Sequence, residues 1–130
     1  MSKIFVYGTL RQGFGNHRLL EQADFLGSAV TVEDYSMFGG GIPFVNPNVK
    51  KYPIVGEVYE VNENQLKRLD ALEGHPDWYY RTPIEVKMDV TGEIMNVEIY
   101  FNDYDTNLFP TGDYKENIAV RKSAQQTSNT

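Results

Sequence analysis

One carboxylate in this 130-residue sequence stands where a charge is unwelcome. The segment from Asn62 to Pro76 reads as a helix, with Asn62 as N-cap and Gln65 three residues on to complete a capping pair. Leu66, Leu69 and Leu72 supply an apolar stripe, and Gly74 followed by Pro76 supplies the stop. Successive residues turn by about 100°, so with Leu66 at zero, Leu69 falls near roughly 300° and Glu73 near roughly 340°. Glu73 therefore projects from the centre of the stripe, while Lys67 and Arg68 point elsewhere. It also occupies the last helical turn, where the negative end of the macrodipole disfavours an anion. Burial and dipole act together to raise its pKa, and a carboxyl group tuned upward can take and return a proton near neutral pH. The competing reading is structural: Glu73 pairs with Arg81 or Arg11, or bends to solvent at the helix end.

A second candidate is the loop Tyr7-Gly8-Thr9-Leu10-Arg11-Gln12-Gly13-Phe14-Gly15-Asn16, which leaves a short apolar strand. A glycine-rich loop can aim successive backbone N–H groups at one point and form a nest for an anion. It is not a Walker loop, because Phe14 and Gly15 stand where Lys and Ser/Thr are needed. It is not a dinucleotide fingerprint either, since Arg18 takes the place of the third glycine. A carboxylate suits it better than a nucleotide, and a purely structural turn competes with both.

Other chemistries find less support. With no cysteine there is no thiolate nucleophile, zinc thiolate site or disulfide framework. The two histidines, His17 and His75, lie far apart, so no metal site is expected. His75 follows the helix, either lining the same pocket as Glu73 or sitting in a solvated loop. No serine occupies a Gly-x-Ser-x-Gly elbow. Asp plus Glu is 18 against 12 for Lys plus Arg, a net charge of −6, which argues against a nucleic-acid partner. The aromatic side chains, Trp78 included, accordingly read as core or rim residues. No apolar run is long enough to span a membrane and no signal peptide is evident, so a cytoplasmic protein without membrane partners is expected.

The elements that must position these groups are mostly strands. Lys3–Tyr7 reads as a strand buried on both faces, residues 54–61 as another, and Gly27–Phe38 as one or two more. Ile84, Val86, Met88 and Val90 alternate with polar residues, and after Thr91-Gly92 so do Met95, Val97, Ile99 and Phe101. This pattern predicts an antiparallel hairpin. A shorter helix is expected near Asn16, carrying Leu19 and Leu20. The expected fold is α+β, a curled, largely antiparallel sheet or small β-barrel with one main helix packed on it, in a single domain over residues 1–122. Residues 123–130 lack large apolar side chains and are expected to form a disordered tail.

Taken together, Val6-Tyr7-Gly8-Thr9-Leu10-Arg11 and the run from Leu69 through Glu73-Gly74-His75-Pro76 to Tyr79-Tyr80-Arg81 resemble the γ-glutamylcyclotransferase-like family. The similarity is greatest to its γ-glutamylamine cyclotransferase (AIG2-like) branch. Gly41-Ile42-Pro43, Gly56-Glu57-Val58-Tyr59 and Thr111-Gly112-Asp113-Tyr114 support the match, which runs over roughly residues 3 to 115. The resemblance implies a small barrel flanked by helices, with a cavity between the loop and the glutamate. It implies that Gly8, Thr9 and Leu10 hold the α-carboxylate end of a glutamyl group by backbone N–H donors, with Tyr7 shaping the wall. It implies that Glu73 is the catalytic acid/base, and that Arg11, Tyr79 and Arg81 give pocket support, Arg81 also as a candidate to neutralise charge. The implied reaction turns a small γ-glutamyl amine or amide into 5-oxoproline and a free amine without a cofactor. A non-catalytic module that captures a small acidic metabolite in the same loop is the alternative. A pure binder has no use for a carboxylate on the apolar stripe, which favours the enzyme.

Overall fold

The computed structural model describes residues 1–119. Among these residues seven strands and the helix α1 follow in the order β1 (Ser2–Val6), β2 (Asp24–Thr31), β3 (Ser36–Gly39), β4 (Pro43–Asn46), β5 (Val55–Val61), α1 (Glu63–Glu73), β6 (Tyr80–Met88) and β7 (Ile94–Phe101). A 3₁₀ segment, Gly15–Leu20, lies between β1 and β2, and residues 114–119 are helical. Five strands close a barrel in the order β1-β5-β2-β6-β7, while β3 and β4 form a separate two-stranded sheet. All neighbouring pairs are antiparallel except β1 with β7, which closes the barrel in parallel. Of the two expected forms, a curled sheet or a small barrel, this is the mostly antiparallel barrel, the one the family resemblance implied. The expected tail, residues 123–130, lies outside the described residues.

Strand β1 is apolar at consecutive positions because it has a core on each side. Phe5 points into the barrel with Ala29, Val58, Val86, Val97, Ile99 and Phe101. Ile4 and Val6 point outward into a second core with Leu10, Leu20, Tyr59, Val61, Leu69, Tyr79 and Tyr100. The second core is roofed by α1, the 3₁₀ segment and Phe44 of β4. The loop that leaves β1 thus emerges between the two apolar layers, and its course is set by both.

Helix α1 forms as its end signals dictate. The Asn62 side chain accepts from the Gln65 amide, and the Gln65 side chain accepts from the Asn62 amide. At the other end Gly74 adopts the left-handed conformation at φ 64°, and the amides of Gly74 and His75 satisfy last-turn carbonyls. The buried edge differs in part from the leucine stripe. It runs through Gln65 and Leu69 toward Glu73, whereas Leu72 is 39% exposed.

The hairpin also departs from the expectation at one place. Strand β6 ends at Met88, and Val90, expected inward, is 95% exposed. The amide of Met88 bonds the Glu93 carbonyl and that of Gly92 bonds the Met88 carbonyl, so Asp89–Glu93 belong to the turn. Alternation loses its meaning once the chain leaves the ladder.

Close approach of β1 to β5 depends on Gly56. A Cβ there would run into the Val6 carbonyl oxygen and lie 2.6 Å from Phe5 Cζ. Gly56→Ala should lower stability by about 2–3 kcal/mol through overpacking of the barrel wall. Gly40→Ala, with nothing within 4 Å of the added carbon, should be near neutral. Urea unfolding of both variants checks this contrast.

Candidate active site

The loop after β1 and the end of α1 meet at one pocket. Its cavity, about 180 Å³, is lined by Tyr7, Gly8, Thr9, Leu10, Asn16, Ile42, Pro43, Leu72, Glu73, Trp78, Tyr79 and Tyr100. This is smaller than the roughly 300 Å³ at which pockets for drug-sized ligands begin, so it suits a small moiety rather than a nucleotide. All five residues expected to catalyse or bind (Tyr7, Gly8, Thr9, Leu10 and Glu73) line it, although Glu73 lies more than sixty positions from the other four in sequence.

The loop is turned by a hydrogen bond from the Arg11 amide to the Gly8 carbonyl at 3.0 Å. Among the described residues no acceptor takes the amides of Thr9 and Leu10, both of which border the cavity. The Asn16 amide group donates to the Thr9 hydroxyl at 2.8 Å, and the Leu10 carbonyl lies 3.0 Å from His17 Nδ1. A Cβ on Gly8 would stand 2.6 Å from Pro43 Cγ, so glycine lets the loop pack against the pocket's opposite wall.

Glu73 is half-buried, and burial pushes its carboxyl pKa from 4.5 up to about 7. The surrounding hydroxyls do not relieve it. Tyr7 donates to the Tyr100 carbonyl at 2.6 Å, Tyr79 to the Pro43 carbonyl at 2.9 Å, and Tyr100 to Asp70 Oδ1 at 2.6 Å. Each tyrosine spends its one proton elsewhere. Burial raises the pKa of all three phenols, and the Glu73 charge adds to the shift of each.

Neither arginine that could have paired with Glu73 does so. Arg81 Nε lies 3.2 Å from Asp70 Oδ1 and its Nη1 lies 3.1 Å from Glu98 Oε2. Arg11 is buried against Glu57, at 3.4 Å, and Asp113, at 3.0 Å. Among the described residues Glu73 has no ion-pair partner. Of the three expected supports only Tyr79 borders the cavity; Arg11 and Arg81 stand behind it, because their guanidinium groups are drawn to other carboxylates. His75 does not line it either, since its Nδ1 accepts the Arg81 amide at 3.0 Å.

Asn16, Ile42, Pro43, Leu72, Trp78 and Tyr100 complete the lining, and of these Leu72 and Tyr100 were not singled out as pocket residues by their sequence context. Tyr100 had a legible signal. It follows Ile99 on the outward face of β7, where an aromatic residue needs a covering layer. Trp78, 51% exposed, takes the rim position its surroundings suggested.

The raised pKa has a stability consequence. Below pH 4.5 the folded and unfolded chains both hold the proton, and Glu73 imposes no ionisation cost. As pH climbs toward 7 the unfolded chain ionises first, so folding loses free energy progressively, and the loss is complete above the folded pKa. Glu73→Gln should therefore gain stability relative to the parent chain only as pH rises. The expected gain is on the order of 2 kcal/mol by pH 8, after allowing for the partial solvation of the group. Urea unfolding at pH 4 and pH 8 measures the difference.

Comparison with known proteins agrees with this geometry. Residues 4–116 match the family described as "Gamma-glutamyl cyclotransferase, AIG2-like". A putative gamma-glutamylcyclotransferase of Methanocaldococcus jannaschii is 45% identical over 118 residues, covering 89% of this chain and 98% of the relative. A gamma-glutamylaminecyclotransferase of Rattus norvegicus is 40% identical over 97 residues, covering 68% of this chain and 65% of the relative, so the match spans under two thirds of that longer protein. The crystal structure of a mouse AIG2-like protein superposes with a TM-score of 0.74 at 32% identity, over 81% of this chain and 80% of that one. Among the described residues no helix is long and apolar enough to cross a membrane.

Proposed function

Because the chain belongs to the AIG2-like gamma-glutamyl cyclotransferase family, we propose that it releases 5-oxoproline and a free amine from a small γ-glutamyl amine or amide, with Glu73 as general acid and base. The observation that carries this reading is a carboxyl group held near pKa 7 beside a loop with two uncommitted amides, both on one small cavity.

The reaction's own requirements fit such a site. The substrate carries its nucleophile, since its α-amino nitrogen can reach the γ-carbonyl carbon and close a five-membered ring. Catalysis then rests on holding the chain folded, which contributes through proximity and orientation. The Glu73 carboxylate takes a proton from the α-ammonium, and the freed amine attacks the γ-carbonyl. Attack leaves a surplus proton on the ring nitrogen and an oxyanion on the γ-carbon. As the oxyanion collapses, Glu73 returns its proton to the leaving nitrogen while that C–N bond breaks, and the regenerated carboxylate passes the surplus ring-nitrogen proton to the freed amine, which departs as an ammonium ion. Backbone donors of the loop bind the α-carboxylate, and others nearby stabilise the oxyanion. A group with its pKa near the working pH is equally able to accept and to donate, so one carboxyl group serves both steps. Ring closure of this kind calls for no cofactor.

The substrate must enter as a γ-linked glutamyl group, because only that linkage places the carbonyl carbon where attack by the amine closes a five-membered ring. The leaving amine faces the rim of Ile42, Leu72 and Trp78. In this reading the three pocket tyrosines shape the walls and exclude water, while their hydroxyls stay bound to fixed acceptors.

Glu73→Gln should lower kcat at least about 10³-fold, the scale expected for loss of a positioned acid/base group. Calorimetric binding of 5-oxoproline to that variant should stay within about threefold of the parent. The parent's kcat/KM should rise with pH through about 7 as the carboxylate forms. A panel of γ-glutamyl conjugates read by mass spectrometry for 5-oxoproline tests the activity. A fully active Glu73→Gln, or a parent chain that cyclises none of the panel, defeats the proposal.

A further inference from the structure

The structure assigns Glu57 a positioning role: it is the buried anchor that holds the loop of residues 8–12 in its binding shape. The inference rests on the proposed function only in the use it gives that loop. Glu57 sits on β5 opposite Val6 of β1 and Ser28 of β2, and its side chain leaves the outer face of the barrel with that of Tyr59. It is 4% exposed, does not line the cavity, and touches none of the reacting groups.

Its two oxygens are used on both sides of the loop. Oε1 accepts the backbone amide of Gln12 at 3.0 Å and the Tyr59 hydroxyl at 3.0 Å. Oε2 accepts from Arg11 Nε at 3.4 Å, and Lys115 Nζ lies 3.9 Å away. The other end of the Arg11 guanidinium is held by Asp113 Oδ1 at 3.0 Å, which also accepts the Lys115 amide at 3.0 Å. Arg11 in turn closes the loop through its amide on the Gly8 carbonyl. Two consecutive loop residues, one by side chain and one by backbone, are thus tied to a single carboxylate on a barrel strand.

Such a cluster is a poor way to obtain stability. Ionised groups withdrawn from water regain at best their desolvation cost, and apolar residues of the same volume often do as well. What apolar packing could not supply is direction. The Gln12 amide and the Arg11 guanidinium are donors whose position along the chain fixes where the peptides of residues 8–10 lie. A binding site made of backbone amides has no side chain to adjust, so its accuracy is that of the loop, and rigid support from behind is what it requires. None of the cluster's residues, Arg11, Glu57, Tyr59, Asp113 or Lys115, lines the cavity, so the cluster holds the loop without entering the site. It also explains why Arg11 serves the pocket without bordering it.

The test uses Glu57→Gln, which keeps the shape and one acceptor but removes the charge. Tyr59→Phe is a milder companion that removes one donor to the same oxygen and leaves all charges in place. Three measurements are made below each variant's unfolding temperature: steady-state kinetics giving kcat and KM for a γ-glutamyl amine, calorimetry giving the affinity for 5-oxoproline, and ¹⁵N–¹H spectra of residues 8–12. Glu57→Gln should raise KM and weaken 5-oxoproline binding by about tenfold each, with kcat within about threefold, as expected when a binding contact rather than the chemical step is disturbed. Tyr59→Phe should move both in the same direction by about threefold, and the amide resonances of residues 8–10 should shift in both variants. A folded Glu57→Gln with unchanged KM, unchanged affinity and unmoved resonances overturns the assignment, as does a loss confined to kcat. If Glu57→Gln does not fold, Tyr59→Phe decides by the same readings. A parent protein that releases no 5-oxoproline overturns the proposed reaction instead, and the resonances then decide the role of Glu57 separately.

Discussion

An ionised carboxylate removed from water must find a cation or several hydrogen-bond donors, or else hold its proton to a higher pH. Glu73 is in the last situation, and much of the surrounding structure serves to keep it there. The two arginines that its motif neighbours supply are each held between two other carboxylates, Arg81 by Asp70 and Glu98, Arg11 by Glu57 and Asp113. The tyrosine hydroxyls around it are bound to the Tyr100 carbonyl, the Pro43 carbonyl and Asp70. Had one of those protons or guanidinium groups been free to turn toward it, the carboxyl group would have fallen toward its ordinary range. The acidic surplus of the chain has a local counterpart here, since the neighbouring carboxylates outnumber and occupy the cations.

The barrel makes this arrangement rigid. Strand β1 lies between the barrel interior and the outer layer under α1, so the loop that follows it starts from a fixed point. Helix α1 is fixed at both ends by its capping box and its left-handed glycine, and the Glu73 carbonyl is bonded by the Tyr79 amide at 3.1 Å. Loop and helix end are therefore set independently against the same outer face of the sheet. The cavity is what remains between them, with Pro43 and Tyr100 filling the sides.

Much of this was readable along the chain. Local rules depend on neighbours a few residues away, so the capping pair Asn62 and Gln65, the stop at Gly74, the hairpin alternation and the place of Glu73 on the buried edge could all be read from spacing. The resemblance of two short segments pointed to the barrel and to five of the residues that border the cavity. Errors arose where a local pattern ran past its element, at Val90 beyond the last rung of the ladder and at Leu72 on the shoulder of the helix. Arg11 and Arg81 were placed near the site by motif alone, which carries no information about which carboxylate a guanidinium will choose.

By itself, then, the sequence determined most of the strands, both ends of helix α1 and the presence of a carboxylate among leucines, because these follow from periodicity and backbone chemistry within about four residues. Only the tertiary structure decided that Glu73 would have no counter-ion among the described residues, that Tyr100 and Pro43 would close the cavity, and that Glu57 would stand behind the loop. Those outcomes depend on competition in space among charged and polar groups from distant strands. Coulombic and hydrogen-bond partners are chosen by distance and desolvation, which exist only once the barrel has closed.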